Sequence, residues 1–196
     1  MKIGIFGGAF DPITNGHIAV CNYLLEKKIV DKVYLFPCNK SYYEKKMAPG
    51  VDRIKMCEFA VKENKNSGVE VCDYEIVNDL EGETLEILGK FLGENVVDTF
   101  YFVIGADNAM KINTWTDWEK LTAMVPFIVV PRVGSPVESE DCWYTKSPHV
   151  YLKDFEANIL SSTQVRTDLR TNGQSTMITP TVAEYIKTNS LYSTPS

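Results

Sequence analysis

The chain has 196 residues, 44% of them apolar, and a formal net charge of −6. This length and apolar share suit one domain with a full core and are short for two independent ones. The acidic balance argues against a broad footprint for nucleic acid or anionic membrane, because such partners are gathered by an excess of Lys and Arg, so any phosphate recognition has to be local.

In chain order, residues 3–6 are a short apolar run ended by Gly7-Gly8, which predicts a buried strand running into a tight loop. Ile18, Cys21, Leu24 and Leu25 then recur at helical spacing, so a helix is expected from about Gly16 to Lys28. Residues 33–36 read as the next strand, stopped by Pro37. Strand, amphipathic crossover and strand make a βαβ unit, whose strands are parallel. A helix over residues 51–63, a strand over 69–74 and a helix over 84–92 continue the alternation. Residues 99–104 form the most apolar run and predict a central strand covered on both faces. A helix over 115–121, an internal strand over 125–130 and a short strand over 150–152 follow. Residues 132–148 are rich in Gly, Pro and Ser and predict a surface loop. Thr179-Pro180 opens a last helix with a hydroxyl cap and a first-turn proline. The sum is an α/β chain with a doubly wound, mostly parallel sheet, whose ligands are expected at the carboxyl ends of the strands where their order reverses.

Cys21, Cys38, Cys57, Cys72 and Cys142 are odd in number and contain no Cys-x-x-Cys pair, so the expectation is reduced, mostly buried thiols and no zinc site. The opening apolar run is too short for a signal peptide, and no stretch approaches the roughly 18 to 20 apolar residues of a membrane span. A soluble, cytoplasmic chain with no membrane or nucleic-acid partner is expected.

Gly7-Gly8-Ala9-Phe10-Asp11-Pro12-Ile13-Thr14-Asn15-Gly16-His17 lies between the first strand and the first helix, where a parallel sheet places a phosphate site. Glycines let the backbone approach a phosphate, and a helix start aims free N–H groups and a positive dipole end at it. Thr14 adds a hydroxyl and His17 a ring donor. Each of these residues alone also fits plain turn or helix-end chemistry. Far along the chain, Ser161, Ser162 and Thr163 read as the exposed first turn of another helix, with Arg166 one turn later to bring paired donors to the same anion.

Thr14-Asn15-Gly16-His17 resembles the signature of the nucleotidyltransferase superfamily with the Thr/His-x-Gly-His motif. Ile159-Leu160-Ser161-Ser162-Thr163-Gln164-Val165-Arg166 resembles its Ile-Ser-Ser-Thr-x-x-Arg element, with Leu160 as an extra residue. Ile104-Gly105-Ala106-Asp107-Asn108 and Thr114-Trp115-Thr116-Asp117-Trp118-Glu119 resemble the Gly-x-Asp and Thr-Trp elements of nicotinate or nicotinamide mononucleotide adenylyltransferases, and residues 182–192 resemble their final helix. The resemblance implies a Rossmann-like nucleotidyltransferase fold formed as one domain over residues 1–196, with a C-terminal helical part from about 160 completing the ATP site. It implies catalytic roles for His17, Thr14 and Arg166. ATP contacts fall to Gly7, Gly8, Ala9, Phe10, Gly16, His17, Gly105, Asp107, Ser161, Ser162, Thr163 and Arg166, with Gly105 and Asp107 at the ribose. On the acceptor side it implies Trp115 stacked on the pyridine ring, with Trp118 left to the core, Thr84 at the ring's acid or amide group, and Arg132 at the acceptor's phosphate. Where the family usually has a Tyr upstream of Thr84, this chain has Glu81-Gly82-Glu83, which leaves the choice of acid or amide open. In the loop after the second strand, Lys40 and Lys46 are the candidates for phosphate contact, with simple solvated charge as the alternative.

The implied reaction is in-line attack of the acceptor's phosphate on the α-phosphorus of ATP, releasing pyrophosphate. Such transfers rest on positioning and electrostatics rather than on a nucleophilic side chain. Mg²⁺ is expected mainly through the ATP phosphates, with no dedicated protein metal site. The partners are ATP and a pyridine mononucleotide, with a homo-oligomer left open. Pantetheine-phosphate adenylyltransferase is the alternative within the class, since its version of the signature also reads Thr-Asn-Gly-His. A non-catalytic nucleotide sensor is the alternative outside it, whereas a dinucleotide-binding redox enzyme would show Gly-x-Gly-x-x-Gly after its first strand and this chain does not.

Overall fold

A computed structural model of the chain describes residues 1–40, 46–132, 142–156 and 161–193. Among them six strands form one sheet: β1 (Lys2–Gly8), β2 (Lys32–Pro37), β3 (Val69–Val71), β4 (Thr99–Gly105), β5 (Phe127–Val130) and β6 (Val150–Tyr151). Every pairing is parallel, and the order is β3-β2-β1-β4-β5-β6. The winding therefore reverses between β1 and β4, which opens a crevice at their carboxyl ends.

Period-2 alternation divides the apolar residues of the strands between two cores. Phe6, Val103 and Ile128 face one side, where α1 (Asn15–Glu26), α2 (Gly50–Asn64), α7 (Ser162–Asn172) and α8 (Pro180–Thr188) bury Cys21 and Leu24, Met56 and Cys57, Val165, and Val182 and Ile186. Ile3, Ile5, Phe102 and Phe127 face the other side, where α4 (Thr84–Glu94) and α6 (Trp118–Met124) bury Ile87, Leu88, Phe91 and Leu121. Two four-residue helices, α3 (Tyr74–Val77) and α5 (Ala106–Ala109), complete the described α-helices.

Several boundaries differ from the sequence reading, among them the following. Gly7 and Gly8 do not make the loop; they extend β1 and pair with Phe36 and Pro37 of β2. A Cβ on Gly7 would lie 2.8 Å from the Phe102 ring, so this glycine lets β4's large ring lie over the strand. Tyr74 begins α3 instead of ending β3. The expected helix over 115–121 starts only at Trp118, because Trp115 is extended (φ −84°, ψ 142°) and closes a 3₁₀ turn over Ile112–Thr114. The final helix ends at Thr188, so Tyr192 lies beyond it. The expected loop over 132–148 falls mostly on residues 133–141, outside the described residues, as do Ile159 and Leu160.

Candidate active site

Strand ends at the carboxyl edge of the sheet carry candidate residues: Gly8 on β1, Gly105 on β4 and, two residues after β5, Arg132. The chain leaves β1 through Ala9 and Phe10 and enters α1 with Thr14 as its N-cap and Gly16 in its first turn. The sharp turn is made by Phe10, at φ +45°, and not by a glycine. Its ring is buried and packs edge-on to Phe6 and His17, so Phe10 can offer a ligand only its backbone.

His17 sits at the third position of α1 and reaches back to the cap. The Thr14 backbone N–H donates to His17 Nδ1 at 3.0 Å, and the Thr14 hydroxyl lies 2.9 Å from the same nitrogen. A backbone N–H can only donate, so Nδ1 is the acceptor and the ring proton sits on Nε2. Burial, reinforced by the positive charge of Arg132, holds the imidazole down at about pKa 4. At neutral pH His17 is therefore a neutral ring with a fixed Nε2–H donor.

The second element meets the first directly. Arg166 Nη1 donates to the Asp11 carbonyl at 2.6 Å across 155 residues of sequence, and Ser162 Oγ donates to the Pro12 carbonyl at 2.8 Å. Ser161 caps α7 by accepting from the Gln164 N–H, and Thr163 Oγ1 accepts from Arg166 Nη2. The hydroxyl protons of Ser161 and Thr163 thus remain for an anion, whereas that of Ser162 is engaged on the loop. Arg166 has five N–H groups and uses two here, which leaves three to turn toward a ligand.

Across the crevice, Asp107 Oδ1 pairs with Arg132 Nε at 3.2 Å, so the expected ribose contact and the expected acceptor contact hold each other. Gly105 makes room for that pair: an added Cβ would stand 2.4 Å from Asp107 Oδ1 and 2.9 Å from Arg132 Nε. Gly105→Ala should push the two side chains apart and raise the KM for nucleotide about ten-fold, the scale of one charge-assisted hydrogen bond. An unchanged KM in steady-state assays would separate this pair from the site.

The acceptor-side residues are less gathered. Lys40 forms an ion pair with Glu81 on the surface, which answers for its charge without a ligand. Lys46 is exposed, and the rest of its loop, residues 41–45, lies outside the described residues. Thr84 is the first residue of α4 and partly buried. Trp115 and Trp118 are both partly buried against the same core, so burial does not divide them into ligand platform and core residue.

Several polar groups that organise the site received no role from the sequence. Arg53 is 1% exposed and occupies the apolar stripe of α2 with Met56, Cys57 and Ala60; an arginine at i with apolar residues at i+3, i+4 and i+7 was the available signal. Its guanidinium donates to the carbonyls of Ala9, Ala48 and Asn39 and so ties together the loops after β1 and β2. Glu75, on α3, accepts from the Asn39 N–H at 2.7 Å, and burial pushes its carboxyl up to about 7 against the opposing pull of that hydrogen bond and of Arg53. Asp11 stood in the motif without a function and is buried, accepting from the Ala48 N–H and from the hydroxyl of Tyr192.

The Glu75 shift has a defined sign. A carboxyl whose folded pKa is raised contributes stability below about pH 4.5 that is lost as pH rises through about 7. Glu75→Gln, which keeps the carbonyl acceptor for Asn39, should gain stability over the parent protein as pH rises across that window, on the order of 2 kcal/mol at pH 8 and little at pH 4.5. Urea unfolding at both pH values measures it; an equal difference at the two would contradict the assignment.

Residues 5–168 match the family described as Cytidylyltransferase-like. The chain is 31% identical over 203 residues to a protein of Neisseria meningitidis described as a probable nicotinate-nucleotide adenylyltransferase, covering 97% of this chain and 98% of that one. It is 30% identical to one of the same description from Caldicellulosiruptor saccharolyticus, covering 98% and 99%. The structure of Plasmodium falciparum nicotinic acid mononucleotide adenylyltransferase complexed with NaAD shares the fold, with a TM-score of 0.82, 24% identity and 97% of each chain covered. The parallel sheet whose winding reverses between β1 and β4 is thus a fold shared with that structure. The chain belongs to the cytidylyltransferase-like family, among the nicotinate-nucleotide adenylyltransferases.

Proposed function

We propose that the protein transfers the adenylyl group of ATP to nicotinate mononucleotide, forming the dinucleotide and pyrophosphate as a step of NAD synthesis. The observation that carries this reading is the direct docking of the Arg166 and Ser162 side chains on the Asp11-Pro12 backbone, beside a histidine whose Nε2–H is fixed as a donor.

The chemistry follows from those groups. A phosphate oxygen of the acceptor attacks the α-phosphorus in line, the bond to the β-phosphate oxygen breaks, and pyrophosphate leaves with the electron pair. His17 Nε2–H stabilises charge on the α-phosphate oxygens, and Thr14 holds the ring in that tautomer. Arg166, with the hydroxyls of Ser161 and Thr163 and the backbone at Ser162, receives the leaving phosphates. Gly7, Gly8, Ala9, Phe10 and Gly16 supply close backbone to the triphosphate, and Gly105 and Asp107 receive the ribose. Arg132, whose charge already acts on His17, is placed for the acceptor's phosphate at the reacting end. Trp115 and Thr84 take the pyridine ring and its acid group, and Lys46 the outer part of the acceptor. Magnesium would enter as part of the substrate, MgATP, held mainly by its phosphates, where it would screen their charge.

Acid is preferred over amide in this reading because the relatives are described as nicotinate-nucleotide adenylyltransferases, and pairing with Lys40 lessens the repulsion from Glu81, one of the two carboxylates just before Thr84. The helical part from about residue 160 completes the ATP site within one domain. Burial pushes the thiols of Cys21 and Cys57 well above their ordinary range, which keeps them inert and suits work in the reducing cytoplasm. Pyrophosphate release with ATP and each of nicotinate mononucleotide, nicotinamide mononucleotide and phosphopantetheine tests the reading. Turnover with the first, at least about ten-fold above the second in kcat/KM, is expected from a hydrogen bond of Thr84 to a charged acid group in place of a neutral amide. Turnover with phosphopantetheine alone would replace the reading, and ATP binding without product from any acceptor would favour a sensor.

A further inference from the structure

Beyond α8 the chain turns back on itself. Ser190 and Tyr192 take left-handed backbone conformations, at φ +52° and +62°, which are costly for residues with side chains and persist where packing holds them. The Leu191 N–H bonds the Ile186 carbonyl, and Leu191 and Tyr192 are partly buried against the core that α1, α2, α7 and α8 cover. The result carries the Tyr192 hydroxyl to Asp11 Oδ1, at 2.7 Å, across 181 residues of sequence.

The Asp11 carboxylate is held unevenly. Oδ1 accepts from both Tyr192 and the Ala48 N–H, at 2.7 and 3.0 Å. Oδ2 is buried with no hydrogen-bond partner, 3.6 Å from Arg166 Nη1. That guanidinium donates instead to the Asp11 main-chain carbonyl at 2.6 Å. A carboxylate and a guanidinium this close and this buried would normally close into a short, two-pronged pair. Here the two anchors on Oδ1 keep the carboxylate turned aside.

We propose that Tyr192 is a positioning residue for the nucleotide site: by anchoring Asp11 it prevents a closed Asp11–Arg166 pair and keeps the guanidinium available to the triphosphate. Burial and the neighbouring Asp11 charge push the Tyr192 phenol far up, so it remains a donor throughout the working range. Without the hydroxyl, Oδ2 swings onto Arg166, and ATP has to compete with an internal anion. The expected signature separates this role from a structural one. Loss of packing would lower stability and harm both substrates, whereas Tyr192→Phe keeps the ring and releases only the carboxylate.

The inference rests on the reading of this site as an ATP site. The test is calorimetric titration of the full chain with a non-hydrolysable ATP analogue, on the parent protein and on Tyr192→Phe, together with steady-state kinetics. The expected result is a Kd for the analogue about ten-fold weaker, the scale of one hydrogen bond to a charged group. The KM for the acceptor should stay within about two-fold and the Tm should not fall. In an Asp11→Asn background, where no internal anion competes, Tyr192→Phe should have no further effect on the Kd. Failure of the parent protein to bind the analogue would remove the ATP reading itself. Binding by the parent with an unchanged Kd in Tyr192→Phe, or equal losses for both substrates with a lowered Tm, would overturn the proposal for Tyr192 alone.

Discussion

His17→Ala is expected to lower turnover by about 10²-fold or more, the scale of removing one preorganised donor to a developing oxyanion. The cause is specific. The Thr14 backbone N–H fixes Nδ1 as acceptor, the ring is neutral at neutral pH, and Nε2–H is the one proton it can direct at a phosphate oxygen. Nothing in an in-line transfer asks the imidazole to take a proton, so the loss should fall on kcat and stay flat across neutral pH. Alanine also removes the reciprocal partner of the cap, which costs about 1 kcal/mol of stability and leaves the fold in place. Pyrophosphate release at saturating substrates, beside a thermal melt, separates the two effects. Activity within a few fold of the parent would remove His17 from the chemistry.

Arg166→Ala should be the more damaging change, because it acts on stability and on catalysis together. Its side chain is 11% exposed and stands beside the 3% exposed Asp11 side chain. Truncation removes the bond to the Asp11 main-chain carbonyl and takes away the cation 3.6 Å from the buried carboxylate, a loss of about 1–3 kcal/mol. In the proposed reaction it also removes the cation assigned to the leaving phosphates, which should cost about 10²-fold or more in kcat, as for other donors to a transferring phosphoryl group. Arg166→Lys keeps the charge but not the fork that bonds the Asp11 carbonyl and Thr163 at once, so it should recover stability better than turnover. Urea unfolding and single-turnover kinetics on both variants check this. Full activity in either would show that the α7 start serves only to support the loop.

The frame of the molecule was legible because apolar runs such as residues 99–104 and stripes such as Ile18, Cys21 and Leu24 carry their period openly. The strand order, with its reversal at β1 and β4, and the docking of the α7 start on the Asp11-Pro12 backbone came from the structure, since parallel strands alone allow more than one order. What escaped was set by tertiary contact. Gly7 reads as loop until the Phe102 ring is seen lying over it, and Phe10 gives no local hint of its left-handed turn. Trp115 carries a helical pattern but is held extended by the 3₁₀ turn before it. Tyr192 looked like the end of a helix because nothing near it in sequence reveals Asp11. Lys40 was read from its charge alone, while its partner Glu81 lies 41 residues away.

A crystal structure of the chain with a non-hydrolysable ATP analogue would bear on all of this at once. The arrangement predicts one triphosphate spanning the β1–β4 crevice, its α-phosphate within hydrogen-bond reach of His17 Nε2 and its outer phosphates against Arg166 and the Ser161 to Thr163 turn. A nucleotide bound elsewhere, or one that touches only one of these two segments, would contradict it.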